Sequence, residues 1–143
     1  ELVVVDSARR RTVATIPVGA PVRDITLSPD GAWAYVLAHH PHGAAVAICI
    51  NLARKAISAV VEVSESAIQI AMSPDGSEIY VVERDGIAVI CAMSDLAFDR
   101  ITLDVSPSCV AMGSMMSRLY VADHMGDITA LPTATPMLQA AAS

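Results

Sequence analysis

A chain of 143 residues, 54% hydrophobic and 17% charged, can bury one sizeable core. Its apolar runs are no longer than pieces such as Ala44 to Ile50, far short of the roughly 18 apolar residues of a membrane helix. A net charge of −6 with Lys55 as the sole lysine, and Trp33, Tyr35, Tyr80, Phe98 and Tyr120 as the sole aromatics, disfavours nucleic acid as a partner.

Short apolar, β-branched segments between Gly, Pro and Asp turns predict strands almost throughout. Residues 1–18 give strands at Leu2–Asp6 and Thr12–Val18, joined by a solvated Arg9-Arg10-Arg11 turn. Residues 22–63 give four strands, Val22–Ser28, Trp33–Ala38, Ala44–Asn51 and Ala56–Val63. Residues 67–105 repeat that set as Ala67–Ser73, Glu78–Glu83, Ile87–Met93 and Phe98–Val105. Residues 108–131 hold only three, Ser108–Gly113, Arg118–Ala122 and Asp127–Leu131. A Pro/Ala-rich tail, residues 132–143, follows; only 134–142 could be helical.

The units are true repeats. Ser28-Pro29-Asp30-Gly31 returns as Ser73-Pro74-Asp75-Gly76, and Tyr35-Val36 returns as Tyr80-Val81 and again as Tyr120-Val121. In each Pro-Asp-Gly turn Pro fixes one φ and Gly accepts a positive one. A period near 40–45 residues marks a solenoid or a propeller.

These residues resemble YVTN-type β-propeller repeats. The likeness is carried by Val4-Val5-Asp6, Thr12-Val13-Ala14-Thr15-Ile16-Pro17-Val18-Gly19, the two Ser-Pro-Asp-Gly turns and the Tyr-Val pairs. The second repeat departs at Glu62-Val63-Ser64-Glu65-Ser66, where the family has a Pro-Val-Gly loop, and the third keeps little beyond Leu119-Tyr120-Val121. The resemblance implies an all-β fold: four-stranded antiparallel blades, two complete and flanked by partial ones, within a larger propeller. An arc of about three blades leaves two apolar faces, to be covered by further blades of a longer protein or by a second copy, unless the ends are degenerate and capped as a stable open arc.

Propeller topology places the loops between the second and third strands, and those entering each first strand, on one face around the channel. That face collects Arg23, His39, His40, His42, Arg84, Asp85 and His124 as candidate ligand- or partner-binding residues, with Asp24, Gln69 and Ser108 at the inner strand starts. His39-His40-Pro41-His42 could bind a metal, but Pro41 and strand alternation point its rings apart, so a solvated loop is expected. Arg23-Asp24 reads as a local ion pair, the three tyrosines as core spacers, and Met72 and Met112 as packing. Met115, Met116 and Met125 read as more exposed. Cys49, Cys91 and Cys109 lack metal spacing and read as free, buried thiols.

No Gly-x-Ser-x-Gly elbow or phosphate-cradling loop is legible, and Asp95 and Asp99 read as solvated turn acids. The expected function is a non-catalytic binding or scaffold module for a protein or small molecule, without cofactor or resident metal. The alternatives are a piece of a catalytic propeller, lactonase-like or metal- or haem-associated, and a secreted single-strand nucleic-acid binder. No export signal is legible at Glu1; the resemblance alone suggests periplasm or cell surface.

Overall fold

The computed structural model describes residues 1–94, 96–113 and 118–133. Asp95, the Met115-Met116 pair and the tail from residue 134 lie outside these. Among the described residues thirteen strands form four antiparallel sheets. The first sheet pairs β1 (Leu2–Asp6) with β2 (Arg11–Ile16). The second is β3 (Val22–Leu27), β4 (Trp33–His39), β5 (Ala45–Asn51) and β6 (Ala56–Val63), in that order. The third is β7 (Gln69–Met72), β8 (Glu78–Glu83), β9 (Gly86–Cys91) and β10 (Leu96–Thr102). The last holds β11 (Pro107–Gly113), β12 (Arg118–Asp123) and β13 (Ile128–Pro132).

The sheets stack face to face, and period-2 alternation decides which residue faces which neighbour. Along β4, Ala34, Val36 and Ala38 join Ile16, Val18, Val46 and Ile48 in a core beneath the first sheet. Tyr35 and Leu37 point the other way, onto Ile70, Met72, Ile79 and Val81 of the third sheet. Tyr80 and Val82 leave the far face of β8 to meet Val110, Leu119 and Val121. The central strands β4, β5, β8 and β9 are therefore buried on both sides, which explains their near-continuous apolar runs, while β3 and β6 stay largely exposed. Met72 is buried and Met112 packs on the third core, while Met125 is solvent-exposed.

Tyr35 and Tyr80 are core spacers, 5% and 1% exposed, but Tyr120 is 41% exposed. It lies on the outer face of the last sheet, where no described element covers it. The same parity exposes Cys109, correcting the expectation of three buried thiols; Cys49 is buried and Cys91 only partly so. Exposed Ile128 adds to that face, and Val3, Val5 and Val13 are exposed at the opposite end of the stack.

Local chemistry repeats with the strands. In each Ser-Pro-Asp-Gly turn the Ser hydroxyl donates to the Asp carboxylate, at 2.5 Å for Ser28–Asp30 and 2.6 Å for Ser73–Asp75. The same hydroxyls accept from Trp33 N–H and Glu78 N–H, and Gly31 and Gly76 take positive φ. The third-to-fourth-strand turns are closed by a side-chain acceptor at the strand end. Asp6 accepts from Arg9 N–H and Asn51 from Arg54 N–H, with Arg10 and Lys55 at positive φ. At the equivalent place the Cys91 thiol bonds Ser94, which holds its pKa below the ordinary thiol value. β9 ends at Cys91 and β10 begins at Leu96, two residues before the expected Phe98, with the same spacing as Asn51 to Ala56 in the preceding sheet.

Candidate channel-mouth site

The loops on one side of the stack bring four of the seven predicted residues together. Arg23, His39, Arg84 and His124 line a single cleft with Glu65, Ser66 and Ser106. Arg23 stands at the start of β3, His39 ends β4, Arg84 lies in the β8–β9 turn and His124 in the β12–β13 loop. Three successive sheets thus contribute to one depression.

Each wall is fixed by its own hydrogen bonds. His39 donates from Nε2 to the Ala67 carbonyl at 2.9 Å, which sets the tautomer and ties the second sheet to the third. The β12–β13 loop is organised by Asp123, whose Oδ1 accepts from Met125 N–H at 2.8 Å and Asp127 N–H at 3.0 Å. Gly126 closes it at φ 97°, as Gly43 closes the His40–Ala44 turn at φ 103°. Both loops carry an exposed histidine, but His40 and His42 project away from the cleft lining.

Arg84 and Asp85 form a two-residue hairpin tip between Glu83 and Gly86. Gly is required at 86, because a Cβ there would stand 2.6 Å from the Ile101 carbonyl oxygen. Asp85 turns to Arg100 at 2.9 Å and lines the adjoining hollow with His39, Glu65 and Arg84. Arg100 also pairs with Glu83, a fully buried carboxylate that accepts from Ser64 N–H at 3.2 Å. Ser66 Oγ in turn accepts from Arg84 N–H. The Ser64–Ser66 segment is held on both sides and presents Glu65 to the cleft.

Glu65 and Ser66 were missed as site residues by sequence reasoning. The signal was present in the loss of the family's Pro-Val-Gly loop at 62–66, and charge-bearing residues in a rigid loop are candidates for binding.

The expected Arg23–Asp24 ion pair is absent among the described residues. Residue 23 sits in a β-bulge between Val22 and Asp24, and both side chains are spent on the backbone of residues 68–70 of the next sheet. Asp24 instead accepts from Ile70 N–H at 2.9 Å and from its own neighbour Ile25 N–H. Arg23 reaches the Ile68 carbonyl at 3.4 Å. Gln69 likewise spends its amide on Val110, and the Ser108 hydroxyl donates to the Ala122 carbonyl. Asp24 and Gln69 thus tie neighbouring sheets together rather than lining the mouth, Ser108 bonds within its own sheet, and Arg23 does both, reaching Ile68 while lining the cleft.

Among the described residues, no three His, Cys, Asp or Glu side chains come close enough to hold a metal ion. The cleft presents two guanidinium groups, two imidazoles and two serines beside the Glu65 carboxylate.

The stack of twisted four-stranded sheets, with inner strands side by side, matches known architectures. Hydrazine synthase of Kuenenia stuttgartiensis superposes with a TM-score of 0.77 at 19% identity, covering 91% of this chain and 39% of that one. Dihydro-heme d1 dehydrogenase NirN, solved in complex with DHE, superposes at 0.73 and 19% identity over 92% of this chain and 29% of its own. In sequence, a seven-bladed beta-propeller protein of Mycobacterium tuberculosis is 33% identical over 135 residues, 92% of this chain. The chain is a partial β-propeller. No profile of a known protein family matches it. It spans 34% of the length of the mycobacterial relative, and its sheets are propeller blades. Similar propellers include enzymes, so fold alone does not decide activity.

Proposed function

We propose that this propeller segment is a non-catalytic binding module whose ligand or partner segment seats at the channel mouth. The observation that carries the reading is the convergence of Arg23, His39, Arg84 and His124, from three blades, on one cleft. Blade stacking supplies rigidity, and the loops supply exposed polar groups without ordering cost at the moment of binding. Asp24, Gln69, Glu83 and Asp85 are engaged within the fold, as are His39 Nε2 and Ser66 Oγ, which leaves the Arg84 side chain, His124 and Ser106 as the lining groups offered to a visitor, with Arg23 beside them.

Amide NMR shifts of the full chain during a screen of small molecules and short peptides test this reading. Shifts should cluster at residues 23, 39, 65–68, 84, 106 and 124, and Ser106→Trp, which fills the cleft from an exposed position without hydrogen-bond loss, should abolish them. Hits that map to the opposite turn face, or survive Ser106→Trp, overturn it. Turnover of any bound compound would overturn the non-catalytic part.

A further inference from the structure

In an acidic chain the channel-mouth cleft is lined by two arginines and one acid, and the acids nearest to it are engaged elsewhere. The net charge of the chain is −6. Around the mouth, Asp85 and Glu83 are both taken by Arg100, and Asp24 is capped by two backbone N–H groups. Asp123 spends Oδ1 on its own loop. Glu65 is the one acid lining the cleft, against the guanidinium groups of Arg23 and Arg84 and the imidazoles of His39 and His124.

The two arginines differ in how they are held. Arg23 reaches the Ile68 carbonyl with Nε at 3.4 Å, and its terminal nitrogens have no partner among the described residues. Arg84 has its backbone pinned by Ser66, while its side chain has no hydrogen-bond or ion-pair partner among the described residues. Guanidinium groups keep their charge throughout the biological pH range and present forked donors that match planar or tetrahedral oxyanions. The walls add the Ser66 and Ser106 side chains.

We infer that the cleft binds an anionic group, a carboxylate or a phosphate, held between Arg23 and Arg84 with His124 at the rim. The inference rests on the channel-mouth reading and names the chemistry that the mouth selects. Glu65 lies beside Gly43, where a Cβ would stand 3.1 Å from Glu65 Oε2, and it lines the same cleft as the two arginines. It biases the site toward ligands that carry a hydrogen-bond donor next to the anion, and weakens binding of the bare anion.

Calorimetric titration of inorganic phosphate, and separately of succinate, into the full chain at constant ionic strength tests the inference. Saturable one-to-one binding of at least one probe is expected. Arg84→Gln and Arg23→Gln should each weaken it about tenfold, the loss of one charge-assisted contact. Glu65→Gln should tighten it. Preference for phosphate assigns a phosphate-bearing ligand, and preference for succinate a carboxylate; either upholds the anion site. Absence of saturation, or unchanged affinity in the Arg23→Gln/Arg84→Gln variant with an unaltered melting curve, overturns it. If Ser106→Trp still abolishes hits from the compound screen in that case, the mouth remains the binding site and only its anion preference falls.

Discussion

Asp24 and Gln69 stand 45 residues apart at the same register of consecutive inner strands, and each ties its blade to the backbone of the next. Asp24 accepts from Ile70 N–H at 2.9 Å; Gln69 accepts from Val110 N–H at 2.8 Å and donates to the Val110 carbonyl at 3.0 Å. The apolar faces between blades are slippery along the strand axis, and these directional bonds fix the stagger. Cys109 occupies the next position in the series and is exposed, at the edge where a further blade would pack.

Gln69→Leu should therefore cost about 2 kcal/mol, since it strands two partly buried backbone groups of Val110. Gln69→Glu keeps the acceptor and loses the donor, and should fall between wild type and leucine. Urea melts measure both, and a leucine variant as stable as wild type would mean that the latch contributes nothing.

The paired Ser-Pro-Asp-Gly turns give the fold an acid sensitivity. The Ser28 hydroxyl, helped by Ala32 N–H, holds Asp30 below the ordinary aspartate value of 3.8. Asp75 is lowered by Ser73 and then by the Ser77 backbone and hydroxyl. A carboxyl depressed in the folded state contributes stability that is complete above its unfolded pKa and is lost as pH falls through the folded one. The melting temperature should decline as pH drops below about 4, and Asp30→Asn/Asp75→Asn should decline less steeply over that window while starting lower at pH 7. Both carboxyls are exposed, so the difference is modest.

Glu83 and Arg100 form the opposite case, a buried charge whose partner reaches it from the surface. The Glu83 side chain is 2% exposed and that of Arg100 46%. Arg100→Ala leaves the carboxylate with only Ser64 N–H, and should cost about 2 kcal/mol, less than the several expected for a fully buried pair because solvent already screens the guanidinium. Adding Glu83→Gln to Arg100→Ala should recover part of that loss. A double variant as unstable as the sum of its single changes would show that the two groups are not coupled.

Much of this was legible because repeats speak through position. Tyr35 and Tyr80, the two Pro-Asp-Gly turns and the strand alternation marked a stack of like sheets, and the loops carrying Arg23, His39, Arg84 and His124 followed from strand order. What escaped were effects of backbone geometry. The bulge at Arg23 cannot be seen in an Arg-Asp dipeptide, nor can the backbone groups of Ile68 and Ile70 that Arg23 and Asp24 bond in place of each other. Cys91 standing where Asp6 and Asn51 close turns is visible only once the strands are aligned in register. Glu65 was hidden because loop charge alone does not say which way a side chain faces.

Tyr80 and Tyr120 make the sharpest comparison of position against identity. Both follow the same strand register, yet Tyr80 is buried with its hydroxyl donating to Glu78, and burial is the first cause that pushes its pKa well above the ordinary tyrosine value. Tyr80→Ala should cost about 3–5 kcal/mol, for the cavity and the stranded carboxylate together. Tyr120→Ala in the 143-residue chain should cost under about 1 kcal/mol, because its ring already meets solvent. The same substitution reports on what covers that face. A cost near that of Tyr80 in dilute solution, together with sedimentation showing twice the chain mass, would mean that the last blade packs on a second copy. A small cost and a monomeric mass would leave the outer face of β11–β13 open for the blades of a longer propeller.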